Sequence, residues 1–169
     1  MQPNLKQNSL PNKKEAFEPL SKKRSKESLF EMAKTLSLGK DCGLSVKDVC
    51  SWYISKLSRN NHFSFWVHLH GPSNLKAFLN NFLEERRNFF DYSTVQERDD
   101  GSIVVQTPLW FLKENPDFFF TLDLSKEELS EYIIELAEEK AKKLGIDLCI
   151  IHHNKIETAI LRPLPKEES

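Results

Sequence analysis

The apolar and polar positions of this chain fall into segments with different periods. From Ser28, with Glu31 three residues on, a capping box predicts a helix to about Leu38 that stops at Gly39. Leu29, Phe30, Ala33 and Leu36 give that helix one apolar face. Ser45 then predicts a second helix to about Leu57, with Val46, Val49, Cys50, Tyr53, Ile54 and Leu57 at helical spacing. From His62 to His70 the pattern alternates. Phe63, Phe65, Val67 and Leu69 fall on one face, and Ser64, Trp66, His68 and His70 on the other, which predicts a strand. Gly71-Pro72-Ser73 turns into a helix ending near Phe90. Asp99-Asp100-Gly101 predicts a hairpin between strands around 92–97 and 102–107.

The same order then recurs. Phe118, Phe120, Leu122 and Leu124 match the alternating set of the first strand. Leu129, Tyr132, Ile133, Leu136 and Ala137 match the helix stripe Leu75, Phe78, Leu79, Phe82 and Leu83. Ser125 with Glu128 forms another capping box, Gly145 follows as a C-terminal cap, and Asn154-Lys155 turns a hairpin with strands around 147–153 and 156–162. The expected fold is α+β. Across 62–165, a tandem strand–helix–strand–strand repeat, with units 62–107 and 118–162, builds a mostly antiparallel sheet of about six strands with two helices on one face. An N-terminal helix pair at 26–60 docks against it. Either that pair or the connector at 108–117 is expected to cover the second sheet face, which would make Trp66 core. A doubled unit of this kind carries a groove at its join.

Composition adds a charge asymmetry. The net charge is −1, but residues 1–27 hold seven Lys or Arg against three Glu, so this segment is about +4 and the rest about −5. With Pro3, Pro11 and Pro19 and few apolar groups, residues 1–25 read as a disordered basic tail. The run Lys22, Lys23, Arg24 and Lys26 could contact nucleic acid, against the plainer reading of a solvated tail. Cys42, Cys50 and Cys149 have no metal-type spacing and read as reduced thiols, which points to the cytoplasm or another reducing compartment; export by a specialised secretion machine stays compatible with the sequence. No stretch is apolar enough for a membrane helix, so membrane insertion is not expected.

The candidate chemistry is sparse. In the predicted strand His68 and His70 share a face, and the repeat places Asp123 at the position equivalent to His68. Two imidazoles and a carboxylate would suit zinc or a similar divalent ion, with His152 or His153 as a further group. Against that stands the ordinary occurrence of His on solvated sheet faces. No Gly-x-Ser-x-Gly elbow, phosphate loop or cysteine in a basic context is present. Trp66, and Trp110 in the connector, offer aromatic surface to a partner.

In layout the doubled unit is similar to the gyrase-inhibitor-like effector-binding domains of some bacterial transcription regulators. Val67-His68-Leu69-His70-Gly71-Pro72 resembles their opening segment. The resemblance implies a small molecule held between the two units; it assigns that family's ligand-contacting carboxylate to no defined residue here. Three functional readings follow. The first is a non-enzymatic binding or adaptor domain, taking a protein or small ligand against Trp66, His68, His70, Asp123 and Trp110 and needing no cofactor. The second is a nucleic-acid-associated regulator using the tail and the N-terminal helices. The third is a metal-dependent hydrolase using His68, His70 and Asp123.

Overall fold

A computed structural model describes residues 14–87, 93–109 and 116–164, with the side chains of 14–26, 28, 87 and 116–118 not described. Six helices and four strands are present among them: α1 Lys14–Asp41, α2 Val46–Arg59, α3 His62–His70, α4 Leu75–Arg87, β1 Thr94–Glu97, β2 Ile103–Pro108, α5 Pro116–Thr121, α6 Lys126–Lys143, β3 Ile146–His153 and β4 Ile156–Pro163. The fold is α+β, with one antiparallel sheet in the order β1-β2-β4-β3.

Both hairpins lie within two residues of where their turns predict them. Asp100 accepts from the backbone N–H and the hydroxyl of Ser102, and Gly101 takes a left-handed φ of 76°. Asn154 and Lys155 are both left-handed, the pattern of a two-residue turn whose twist matches its strands. The capping boxes at Ser45–Asp48 and Ser125–Glu128 are formed reciprocally.

The predicted first strands are not strands. Residues 62–70 form α3, and 116–121 form α5, so each unit runs helix–helix–strand–strand and the sheet has four strands rather than six. The run His62–His70 is short and carries apolar residues that satisfy two periods at once. As a helix it turns Phe63, Trp66 and Val67 inward and leaves Phe65 and Leu69 63% and 58% exposed. The resemblance of 67–72 to a strand-to-helix opening fails for the same reason.

The order helix–helix–strand–strand occurs twice. Val105 of β2 stands opposite Ala159 of β4, 54 positions on (159 minus 105), and the same offset carries Leu75 of α4 to Leu129 of α6. Exchanging the two hairpins about that pair returns the same sheet order.

One core holds the helices to one sheet face. Val105, Leu148, Ile150, Ala159 and Leu161 point into it beneath Phe78, Phe82, Leu129, Tyr132 and Leu136. The N-terminal helices do not cover the other sheet face. They stack on α6: the Cys50 thiol of α2 approaches the Tyr132 carbonyl at 3.8 Å, and Lys40 of α1 pairs with Glu128 at 2.7 Å. On the far side of the sheet Gln106, Cys149 and Ile151 are exposed. At the outer strand β3, the Ile150 N–H donates to the Glu138 carboxylate of α6 at 2.9 Å.

The N-terminal helix is longer than its capping box implies. It starts at Lys14 and passes through Ser28–Glu31 without a break. Thus the proposed tail is helical from Lys14, and residues 1–13 lie outside the described part.

Candidate functional site

Two charged residues fall in phase with apolar stripes. Arg86 follows Phe78 and Phe82 at four-residue steps along α4, and Glu157 precedes Ala159 and Leu161 on the inward face of β4. Each is therefore carried into the core by its own element. The side chain of Glu157 is fully buried and that of Arg86 is 4% exposed. The Arg86 Nε donates to Glu157 Oε1, Nη1 reaches the Phe82 carbonyl at 3.4 Å, and the guanidinium lies over the Phe82 ring, 3.4 Å from its centroid.

The other carboxylate oxygen, Oε2, meets His152 Nε2 at 2.9 Å, and His152 Nδ1 shares a hydrogen bond with the Ser130 hydroxyl of α6. Strand register supplies the rest: Thr107, Glu157 and His152 stand side by side on β2, β4 and β3. Thr107 is 1% exposed, and its Oγ1 has no hydrogen-bond partner among the described residues. The cluster crosses the join, with Arg86 and Thr107 from the first unit and Ser130, His152 and Glu157 from the second. Arg86, Thr107 and Glu157 are buried, and Ser130 and His152 keep partial exposure.

Burial pushes the Glu157 carboxyl up, but the Arg86 charge and the hydrogen bonds from His152 and Arg86 outweigh it and hold the group below the ordinary glutamate value of 4.5. The carboxylate is thus ionised at neutral pH inside an otherwise apolar core. Most buried polar groups are hydrogen-bonded, and the Thr107 hydroxyl beside this network is an exception among the described residues.

The residues singled out from the sequence do not converge. On a helix, positions two apart diverge by about 200°, so His68 and His70 do not share a face; both are exposed. His70 instead lies against the half-buried Trp66, ring centroids 4.8 Å apart. Asp123 is exposed in a left-handed loop position, and its backbone carbonyl, not its carboxylate, accepts from Lys40 at 2.8 Å. Among the described residues no three His, Cys, Asp or Glu side chains gather to hold a metal, so the zinc set His68, His70 and Asp123 is not formed. Trp110 lies outside the described residues. Lys22, Lys23, Arg24 and Lys26 are on α1, with their side chains not described.

The sequence reading named His152 only as an accessory and missed Arg86, Thr107, Ser130 and Glu157. The signal was there in the phase of Arg86 and Glu157 with the apolar stripes, but a charged residue in phase normally sits at the margin of a face rather than beneath it.

The cysteines behave differently from one another. Burial, with Glu135, Glu131 and Glu139 nearby, pushes the Cys50 thiol up to about 12, whereas Cys42 and Cys149 are exposed. Ellman's reagent is expected to titrate two thiols rapidly in the native protein and the third only after unfolding. Three fast thiols would mean that the α2–α6 contact opens readily.

No helix among the described residues is long and apolar enough to cross a membrane. No family model matches the chain, and no solved structure matches it. A protein of Bacillus subtilis strain 168, named Uncharacterized protein YxnB, is 32% identical over 142 residues, which cover 84% of this chain and 88% of the relative. The match takes in most of both chains at that identity, and the chain belongs to the family of this Bacillus protein.

Proposed function

We propose that this protein is a non-enzymatic binding domain that holds a small polar ligand at the join between its two units. The observation that carries the reading is the polar cluster across the join, in which the buried Arg86–Glu157 pair holds the partly exposed His152 and, through it, Ser130. A ligand hydroxyl or amide would meet the partly exposed Ser130 hydroxyl and His152 imidazole. Binding sites commonly gather a few convergent polar groups, as the cluster at the inter-unit join does.

The order Ser130–His152–Glu157 also has the roles of nucleophile, base and acid. Two features favour binding over acyl transfer. Ser130 sits in the second turn of α6, where neighbouring N–H groups belong to the helix ladder and cannot form an oxyanion hole. Glu157 is committed to Arg86 as well as to His152, which spreads its charge away from the imidazole.

The test is a thermal-shift screen of amino acids, sugars, nucleosides and small carboxylates, followed by calorimetry. A ligand for this site raises the midpoint of the wild type, as any ligand selective for the folded state must. It is expected to lose about tenfold or more in affinity to Ser130→Ala or His152→Gln. A hit indifferent to both substitutions would place binding elsewhere. Covalent labelling of Ser130 by a fluorophosphonate, abolished by His152→Ala, would instead support a hydrolase.

A further inference from the structure

The hydrogen-bond chain across the join determines where its protons sit. Glu157 is ionised, so both of its oxygens can only accept. Oε1 takes the Arg86 Nε–H, and Oε2 faces His152 Nε2 at 2.9 Å. The ring nitrogen must therefore carry the proton of that bond. The His152 side chain is 10% exposed, and Arg86 already balances Glu157, so a singly protonated ring adds no uncompensated charge to the interior. Its Nδ1 is then a bare lone pair, and the Ser130 hydroxyl donates to it.

A hydroxyl has one hydrogen and two lone pairs. With its hydrogen turned toward His152, the Ser130 oxygen offers only lone pairs to a molecule arriving from solvent, and Ser130 keeps the partial exposure such a contact needs. The exposed charges near it in sequence and at the turn before Glu157 are Lys126, Glu127, Glu131 and Lys155, which balance in sign. A preference at this position therefore comes from the hydroxyl and not from local net charge.

We infer that Ser130 is an acceptor-only contact and that the ligand end meeting it is a hydrogen-bond donor, an amine or amide N–H, whereas carboxylates, phosphates and tertiary amides are turned away. The inference rests on the binding role proposed for this cluster and adds the chemistry of the ligand. An acceptor brought against the Ser130 oxygen would lose its bond to water and gain none. Arg86 sets the preference from the far end of the chain, since its hold on Oε1 leaves Oε2 for the ring.

Two measurements on the full chain at neutral pH test it. Long-range proton–nitrogen NMR of isotope-labelled protein, with the His152 signals assigned by their loss in His152→Gln, should show a proton on Nε2 and a bare Nδ1. A proton on Nδ1 would overturn the inference without touching the binding role. Saturation-transfer NMR then compares benzamide with N,N-dimethylbenzamide and benzoate at millimolar concentration. Benzamide should bind about tenfold more tightly than either, as for one well-placed hydrogen bond. Ser130→Ala should abolish that preference. Tighter binding of either acceptor-only probe, or a benzamide preference that survives in Ser130→Ala, would overturn the inference alone. If none of the three binds, the binding role fails and the inference with it. Glu157→Gln supplies the reverse case. Its amide oxygen stays with Arg86 and its NH2 turns to His152 Nε2, so Nδ1 takes the proton and the Ser130 hydrogen is released. With the fold checked by circular dichroism, the preference should move toward benzoate, and an unchanged preference in the folded variant would overturn the coupling. Should Glu157→Gln not fold, the wild-type tautomer and the Ser130→Ala comparison decide.

Discussion

Arg86→Met is expected to destabilise the protein by about 3–5 kcal/mol, because it leaves the Glu157 carboxylate buried without its main counter-charge. Glu157→Leu should cost a similar amount by stranding the guanidinium. The double variant, Arg86→Met with Glu157→Leu, should recover most of the loss, since matched apolar side chains replace a buried ion pair with little penalty. A urea-denaturation cycle measures all three. Single variants that each cost under about 1 kcal/mol would show that water reaches the pair.

The same carboxylate governs acid stability. Its folded-state pKa is depressed below 4.5, so the unfolded chain binds a proton at a higher pH than the native protein does. The stability it contributes is complete above 4.5 and is lost as the pH falls through the lower folded value. The double variant should lack that component of acid sensitivity, and the wild type should show it.

The second large effect distinguishes a helix from a strand at 62–70. Phe63→Ala is expected to cost about 3–5 kcal/mol, because Phe63 is 8% exposed within the core. Phe65→Ala should stay within about 0.5 kcal/mol, because its ring is 63% exposed. On a strand the two rings would share a face and respond alike. Equal, large losses would return this segment to a sheet.

Turns and caps are local, and for that reason the sequence discloses them. Asp100 with Ser102, the left-handed Asn154-Lys155 pair, and the Ser45 and Ser125 boxes each specify their geometry within a few residues. Hence both hairpins and the starts of α2 and α6 were legible. The segments at 62–70 and 116–121 are too short for period to decide, and both are helices in the folded chain. The candidate site was largely hidden because its bonds are long-range. Arg86 and Glu157 are 71 residues apart, and Ser130 and His152 are 22 apart. Strand register alone sets Thr107 beside Glu157. No single segment contains that arrangement.

The bond from Ile150 to Glu138 bears on how the protein behaves when crowded. β3 is an outer strand of eight residues, and its free edge could template a strand from another molecule. A carboxylate already holding a central N–H of that edge breaks the row of donors such a strand would need, and brings a negative charge to the same place. The helix that packs the core therefore also guards the sheet against self-association. Replacing Glu138 by Ala would leave the monomer's interior intact while exposing it to edge-to-edge polymerisation at high concentration.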